Sequence, residues 1–305
     1  MKSIDVIKQH SQRTESIVTI GTFDGVHKGH EIVFDHLKNN LSLTPIVITF
    51  NKSPKEIINH DPIQSIYEIS TKKKLIKNLG VEKIISIDFD DSIKSLKADE
   101  FISLLKEYLK LKVLVIGEDT TIGKDKIGKK NGLNDLLLKF DANLKLIEIK
   151  ESNKEKISSS EIKKQIINGN LREVNKKLPN KYFMEGYVAE GKKLGRKLGY
   201  PTANLKFSKE IVIPKDGIYK TISVLEDKSY NSITSIGNNP TFNEKLKTVE
   251  TYIIDFNQNI YSQKFKIIFV DFIREQIKFD NEQDLINQMN KDLKKIVKDN
   301  SNEVY

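Results

Sequence analysis

The chain has no cysteine among its 305 residues, which excludes a disulfide framework and thiol chemistry. Its start lacks the apolar core of a signal peptide, and lysines interrupt every apolar run well short of a membrane span. Arginine is scarce, because it supplies only four of the 51 basic residues. We therefore expect a cytoplasmic protein with no membrane partner and with no obligate protein partner evident.

The formal net charge of +9 would suit a nucleic acid or another polyanion. The lysines, however, are spread along the whole chain and are not gathered in a basic arm or interleaved with aromatic residues. This distribution predicts no nucleic-acid partner, although a basic nucleic-acid-binding protein stays open as an alternative class. Phosphorylated small molecules suit the same charge.

A glycine-rich turn near the amino terminus is the most informative stretch. The β-branched run Ile17–Ile20 predicts a buried strand, and the ten residues Gly21–His30 follow it with the sequence GTFDGVHKGH. Apolar residues then recur at helical spacing, so the ten residues are a strand-to-helix turn whose free N–H groups make an anion site. His27 and His30 are three residues apart and face the same way on that helix. A His-x-x-His pair can also be half of a metal site, but the sequence offers no cysteine or carboxylate cluster to complete it.

Strands and helices alternate through the rest of the first half, which is typical of a parallel sheet with helices on its faces. The predicted strands are Ile17–Ile20, Pro45–Phe50, Lys83–Asp88, Val113–Gly117 and Leu144–Ile149. The predicted helices are Val26–Asn39, Ser70–Leu79, Lys97–Leu109 and Gly132–Phe140. Ligands of such sheets bind beyond the carboxyl ends of the strands, so the Gly21–His30 turn and the stretch after Gly117 should converge on one site.

The stretch Gly123–Lys129 nearly matches a P-loop. Lys130 stands where a serine or threonine would hold Mg²⁺, and no strand directly precedes Gly123. We therefore reject a P-loop here.

A serine-rich stretch precedes a short predicted helix. Ser158 and Glu161 form a capping box for a helix over Glu161–Asn168. The neighbouring hydroxyls of Ser159 and Ser160 would make this helix start a second anion site, although a simple cap explains the serines equally well.

From Tyr182 onward the apolar pattern changes to period two, which predicts a small antiparallel barrel. The predicted strands are Met184–Ala189, Gly217–Leu225, Ser232–Ile236, Thr248–Phe256 and Lys264–Phe272. Residues Asp280–Lys298 carry apolar side chains at helical spacing, and we expect them to form a closing helix on the barrel. The predicted domains are residues 1–180 and 181–305.

The barrel half contains a second glycine-rich string, Gly191–Asn204, for which a generic hairpin is the simplest interpretation. Further along, Glu250 shares a strand face with Tyr252 and Phe256. We expect that face to be the barrel interior, with the carboxylate at the mouth. An exposed, salt-bridged glutamate is the alternative.

GTFDGVHKGH resembles the HxGH signature of the α/β nucleotidylyltransferases and, in full, the form carried by bacterial bifunctional riboflavin kinase/FAD synthetases. The string Gly191–Asn204 is similar to the flavokinase signature of the same family. The resemblance implies an α/β plus β fold: a Rossmann-like nucleotidylyltransferase domain and a C-terminal antiparallel β-barrel with a closing helix. It also implies that the barrel phosphorylates riboflavin to FMN with ATP and Mg²⁺, and that the first domain joins FMN to AMP, giving FAD and pyrophosphate.

The resemblance further implies roles for individual residues. His27 and His30 would stabilise the transition state of adenylyl transfer, and Glu250 would take the proton of the riboflavin 5′-hydroxyl. Mg²⁺ would bind at Thr202 and Asn204. The other matches would contact nucleotide or phosphate, namely Gly21, Phe23, Asp24, Gly25, Asp119, Lys156, Ser159, Ser160, Gly191, Gly195 and Arg196.

Departures from the family pattern lie mainly in the first half. The usual Phe-x-Pro-His-Pro is replaced by FNKSP at Phe50–Pro54, and the aromatic residues expected near Thr120 and Ile122 are absent. Lys156 and Lys163 stand where arginine is common, which removes bidentate phosphate contacts. We expect ATP binding to survive and flavin binding in this domain to be weaker. Two alternatives stay open: a riboflavin kinase with an impaired adenylyltransferase half, and a nucleotidylyltransferase for another phosphorylated small molecule.

Overall fold

A computed structural model of the chain describes residues 1–118, 120–128, 132–147, 157–191, 195, 198–238 and 247–299. The chain divides into two units, residues 1–161 and 162–305. The predicted boundary after residue 180 lies further along the chain, and the assignment of functions to 1–180 and 181–305 stays a prediction. Within the described ranges, no helix combines the length and apolar character needed to cross a membrane.

Five parallel strands form the sheet of the amino-terminal unit, which confirms the predicted α/β class. The strands of this unit are β1 (Ser16–Gly21), β2 (Thr44–Phe50), β3 (Lys83–Ile87), β4 (Leu111–Gly117), β5 (Thr121–Ile122), β6 (Ile127–Gly128) and β7 (Asn143–Ile147). The sheet order is β3-β2-β1-β4-β7, and β5 and β6 form a separate hairpin. Because the order reverses beside β1, the carboxyl ends of β1 and β4 border the crevice where such sheets bind ligands.

Helices accompany both faces of this sheet. They are α1 (Ser3–Gln9), α2 (Lys28–Lys38), α3 (Pro54–Asn59), α4 (Ile69–Asn78), α5 (Asp91–Lys94), α6 (Ala98–Leu109) and α7 (Leu133–Lys139), and α8 (Ser159–Ile167) follows β7. Successive residues of β2 pack into two different hydrophobic clusters: Ile46 and Ile48 belong to one, and Val47 belongs to the other. A strand buried on both faces is a continuous apolar run, which is why these strands were predictable.

The second unit is a closed barrel of six antiparallel strands, as the period-two pattern predicts. They are β8 (Phe183–Ala189), β9 (Thr202–Lys206), β10 (Gly217–Leu225), β11 (Lys228–Asn238), β12 (Lys247–Ile253) and β13 (Lys264–Arg274), in the order β10-β11-β12-β9-β8-β13. The helices are α9 (Leu171–Lys177) and α10 (Glu282–Asp299), the latter being the predicted closing helix. Arg274 at the end of β13 fixes α10 to the barrel, because its Nη2 donates to the Oδ2 of buried Asp292 at 2.7 Å.

The barrel interior combines apolar and hydroxyl side chains. Phe265, Ile267 and Phe269 are completely buried along β13. Beginning on the neighbouring strand β10, five buried hydroxyls bond one another in a chain at 2.8–2.9 Å, and this chain runs through Ser223, Ser232, Thr221, Thr234 and Thr251. Each hydroxyl is thus satisfied within the core, so the polar interior costs little stability.

Candidate active sites

The turn between β1 and α2 has a backbone that few residues can adopt. Phe23 and Val26 have positive φ angles of 47° and 45°, and Gly25 lies between them at 81°. A Cβ at Gly25 would stand 2.5 Å from the Cδ1 atom of Ile66, so glycine is required there both for conformation and for space. Strained backbone of this kind persists only where its surroundings hold it in place.

A buried ammonium group holds the first part of this turn. The Lys72 Nζ donates to the backbone oxygens of Thr22 and Phe50, at 2.8 Å in each case. The Thr22 oxygen also accepts from the Thr49 hydroxyl at 3.2 Å. Sequence reasoning missed Lys72 because it opens a run of three lysines, and only its position four residues before the buried Ile76 sets it apart.

The middle of the turn is held through Asp24, one of the predicted phosphate contacts. Its Oδ1 accepts from the Ile66 amide at 2.8 Å, and its backbone oxygen accepts from the Ser159 hydroxyl at 2.8 Å. Asp24 and Ser159 therefore hold the turn together in this structure.

The serine-rich stretch caps the start of α8, as the sequence predicts. The Ser158 hydroxyl accepts from the Glu161 amide at 3.2 Å, which confirms the predicted cap, and Ser160 is exposed in the first turn of α8. Asp119 and Lys156, predicted to contact nucleotide, lie outside the described residues. The expectation that no strand directly precedes Gly123 is wrong, because β5 ends at Ile122. Gly123 nevertheless lies in the turn between the antiparallel strands β5 and β6, which is not the strand-to-helix turn of a P-loop, so the rejection is supported.

The paired histidines meet at the start of α2, as the sequence predicts. Their rings stack with centroids 3.6 Å apart, and the Phe23 ring lies edge-on to His30 at 5.2 Å. Burial lowers the pKa of His27 to about 4, and burial followed by the charges of His27 and Lys72 lowers the pKa of His30 well below its usual value. Among the described residues, neither buried Nδ1 atom has a hydrogen-bond partner.

These shifts make both imidazoles neutral near neutral pH. A neutral ring keeps one N–H group to donate, and two neutral rings can stack where two charged rings would repel each other. His27 is also the cap residue of α2, so the helix's first amides lie beside the rings. The arrangement can therefore donate several hydrogen bonds to a phosphate.

A cavity of about 320 Å³ opens beside Gly21 and Thr22 at the carboxyl edge of the sheet. Its other lining residues are Ile20, Phe50, Pro54, Ile58, Phe89, Ile93, Lys94, Phe101, Thr120, Thr121, Ile122, Gly123, Lys124 and Lys126. The β1 turn and the stretch after Gly117 thus converge on one cavity, as expected. Its aromatic and aliphatic side chains offer an apolar surface, and its three lysines offer positive charge.

The barrel brings three predicted residues together on neighbouring strands. Glu250 of β12 is aligned with Asn204 of β9, and the next outward pair is Tyr252 with Thr202. The Thr202 hydroxyl donates to the Glu250 carboxylate at 3.4 Å. A hydroxyl, an amide and a carboxylate therefore share one patch of the barrel wall.

This patch lies on the outer face of the barrel, so the expectation that Glu250 faces the interior is wrong. The interior positions of β12 are Val249, Thr251 and Ile253, which are at most 4 % exposed, whereas Glu250 is only half-buried. The error has a physical cause. Thr251 is polar, yet it faces inward because its hydroxyl bonds that of Thr234 within the core.

The glycine-rich string approaches the same patch. A Cβ at Gly191 would lie 2.1 Å from the Asn204 Nδ2 atom, so the backbone at Gly191 passes directly over that amide. At Gly195, the backbone oxygen accepts from the Tyr200 amide at 2.8 Å and closes a turn. Arg196 lies outside the described residues.

The donor set of this patch suits a hard divalent cation. Hydroxyl, amide and carboxylate oxygens are the ligands that Mg²⁺ takes together with phosphate oxygens. Within the described ranges there is no cluster of three or more histidine, cysteine or acidic side chains placed to hold a metal. A cation here would therefore depend on Thr202, Asn204 and a bound phosphate. A cavity of about 240 Å³, lined by Thr202, Thr251, Phe256 and their neighbours, adjoins the patch.

The chain thus contains two sites that suit a phosphate group, one in each unit. This combination indicates a transferase that moves phosphorus-containing groups from a nucleotide. Family models identify the halves separately: the model described as FAD synthetase matches residues 9–161, and the model described as riboflavin kinase matches residues 178–299. The chain belongs to the bifunctional riboflavin kinase/FMN adenylyltransferase family.

Two curated relatives of this family match over nearly their whole length. The bifunctional riboflavin kinase/FMN adenylyltransferase of Buchnera aphidicola subsp. Schizaphis graminum is 34% identical over 300 residues, which cover 93% of this chain and 94% of the relative. The enzyme of the same description from Bacillus subtilis is 32% identical, with 99% of both chains covered. A crystal structure from Streptococcus pneumoniae, described as a macrolide-efflux protein, is 33% identical with a TM-score of 0.84, covering 94% of this chain and 95% of its own.

Proposed function

We propose that this chain phosphorylates riboflavin to FMN and then adenylylates FMN to FAD, with ATP as the donor in both steps. The observation that carries the proposal is the presence in one chain of two separate sites. One holds the stacked His27 and His30 at the start of α2, and the other holds Thr202 beside Glu250 on the barrel wall. Family membership over both halves supports it.

The kinase step is assigned to residues 181–305. The riboflavin 5′-hydroxyl oxygen attacks the γ-phosphorus of ATP, its proton passes to the Glu250 carboxylate, and ADP leaves. Thr202 and Asn204 are the residues that would hold Mg²⁺, which when bound neutralises phosphate charge. Gly191 and Gly195 let the backbone approach the phosphates.

The adenylyl step is assigned to residues 1–180. A phosphate oxygen of FMN attacks the α-phosphorus of ATP, and pyrophosphate leaves, so no covalent enzyme intermediate is needed. The N–H groups of His27, His30 and the first turn of α2 stabilise the charge that develops on the phosphate oxygens. The turn that positions these N–H groups is formed by Gly21, Phe23, Asp24 and Gly25.

The flavin ring of FMN is assigned to the cavity beside Gly21. Phe50, Phe89 and Phe101 line it and offer stacking surfaces, although the sequence predicts weaker flavin binding in this domain because aromatic residues are absent near Thr120 and Ile122. Replacing Phe89 by alanine should raise the KM for FMN in FAD formation about fivefold or more, since aromatic contacts contribute roughly 1 kcal/mol beyond area burial. An unchanged KM would place the flavin elsewhere.

One incubation tests the proposed function. The full chain is mixed with riboflavin, ATP and Mg²⁺, and the products are separated by chromatography. FAD with transient FMN is the expected result. FMN alone would indicate an impaired adenylyltransferase half, and unchanged riboflavin would overturn the kinase assignment. The cytoplasmic location and the absence of nucleic-acid, membrane and protein partners stay predictions.

A further inference from the structure

Lys72 carries a charge on the buried face of α4, where helices usually place apolar side chains. It lies on the inner face of α4, one turn before Ile76, and is 7 % exposed. Removing an ammonium group from water costs several kcal/mol unless its hydrogen bonds are replaced. A methionine would fill the same space without that cost, so the charge needs a reason.

The contacts of the ammonium group point to the catalytic turn. Its two acceptors, the oxygens of Thr22 and Phe50, lie just beyond the carboxyl end of β1 and at the end of β2. Thr22 also lines the cavity assigned to the flavin, and Phe50 lines it too. Lys72 therefore joins two neighbouring strand ends at the edge where the phosphates and the flavin would meet.

The charged groups that act on Lys72 belong to the same region. Burial lowers its pKa to about 8, Asp24 opposes that change, and Lys73 adds to it. The ammonium in turn is one of the charges that lower the pKa of His30. Lys72 thus acts on the position of the turn through hydrogen bonds and on the protonation of His30 through its charge.

We propose that Lys72 is a positioning residue for adenylyl transfer, which fixes the turn carrying His27 and His30 through its bonds to Thr22 and Phe50. The inference rests on the proposed function and assigns no contact between Lys72 and substrate. Misplacing a catalytic group by about 1 Å can cost on the order of a hundredfold in rate, so loss of this anchor should lower turnover.

The test compares Lys72→Met with Lys74→Met, which removes the same charge from an exposed position on the same helix. FAD formation from FMN and ATP is measured in the full chain, together with FMN formation from riboflavin. Lys72→Met should lower kcat for FAD formation at least about tenfold with KM for ATP within about twofold. Lys74→Met should leave both activities unchanged, and riboflavin phosphorylation should be unchanged in both variants.

The variant Lys72→Arg distinguishes a role in positioning the turn from a role in stabilising the fold alone. Arginine keeps the charge and the donors, so it should recover part of kcat. The kcat of the wild type should fall as the pH rises through about 8, where Lys72 loses its proton, and Lys72→Arg should abolish that fall because arginine stays protonated. Far-UV circular dichroism and the unfolding midpoint are recorded for every variant.

Three results would overturn the inference. They are a Lys72→Met variant with wild-type kcat, a variant that loses activity only in proportion to its loss of folded protein, and identical pH profiles for Lys72→Arg and wild type. A wild-type chain that makes no FAD would instead refute the proposed function, so the two failures are distinguishable.

Discussion

The Thr202 hydroxyl and the Glu250 carboxylate meet at 3.4 Å across the paired strands β9 and β12. The two side chains leave the same face of the barrel, as the proposed roles of Thr202 at the cation and Glu250 as the base require. Glu250→Gln keeps the shape and the Thr202 contact but removes the proton acceptor. It should lower kcat for riboflavin phosphorylation about 10²- to 10⁴-fold and leave FAD formation from FMN intact. Exposed Glu226→Gln is the control, and equal loss in both variants would refute a role as base.

Thr202→Val tests the proposed cation site. Valine matches threonine in shape but offers no oxygen, so the Mg²⁺ concentration for half-maximal kinase activity should rise several-fold, about 1 kcal/mol of binding. Saturating Mg²⁺ should restore much of the rate. The measurement is a Mg²⁺ titration of FMN formation, and an unaltered midpoint would remove Thr202 from the site.

Acidification should destabilise the amino-terminal unit through its buried histidines. The pKa of His27 in the folded chain, about 4, lies below its usual 6.5. Between these values the unfolded chain binds the proton and the folded chain does not, so stability is full above 6.5 and falls as the pH approaches 4. The loss from His27 is about 3 kcal/mol. Urea unfolding followed by circular dichroism should show it, and His27→Gln should reduce the dependence to the part that His30 contributes. A pH-independent midpoint would contradict the shift.

The hydroxyl chain inside the barrel predicts a stability effect. Thr234→Val leaves the hydroxyls of Thr221 and Thr251 each without one partner in a buried site, which should cost about 1–3 kcal/mol. Thr248→Val is a milder change, since its single bond to the Gly237 oxygen is long, at 3.3 Å. Thermal unfolding of both variants provides the comparison, and equal midpoints would show that the interior chain adds nothing.

Strong local patterns predicted most of the fold. The buried strands of the parallel sheet are unbroken apolar runs. The helix that follows β1 spans Lys28–Lys38, and its predicted bounds, 26–39, agree within two residues at each end. The weak points were short elements. Thr202–Lys206 is a strand, but it has only five residues and follows a glycine-rich stretch without alternation, and α3 and α5 are too short to display a period.

The sequence predicts a site residue well when that residue contacts a partner only a few positions away in the chain. His27 and His30 needed only the start of one helix to come together. Lys72 and the outward orientation of Glu250 could not be found in this way, because they depend on contacts between distant segments. The Lys72 acceptors lie just after β1 and at the end of β2, and the orientation of β12 follows from a hydroxyl chain shared with β11 and β10.

Because β1 is the central strand of the sheet, the turn that carries His27 and His30 reaches its final surroundings only after both neighbouring strands have paired with β1. Ser16 at its start is aligned with Thr44 of β2 on one side and with Leu111 of β4 on the other. Parallel neighbours require long crossovers, and such distant pairings form late. During synthesis, the signature GTFDGVHKGH leaves the ribosome long before β4 does. A nascent chain that ends before Leu111 therefore carries the whole motif but lacks β4 and the cavity-lining residues between 120 and 126.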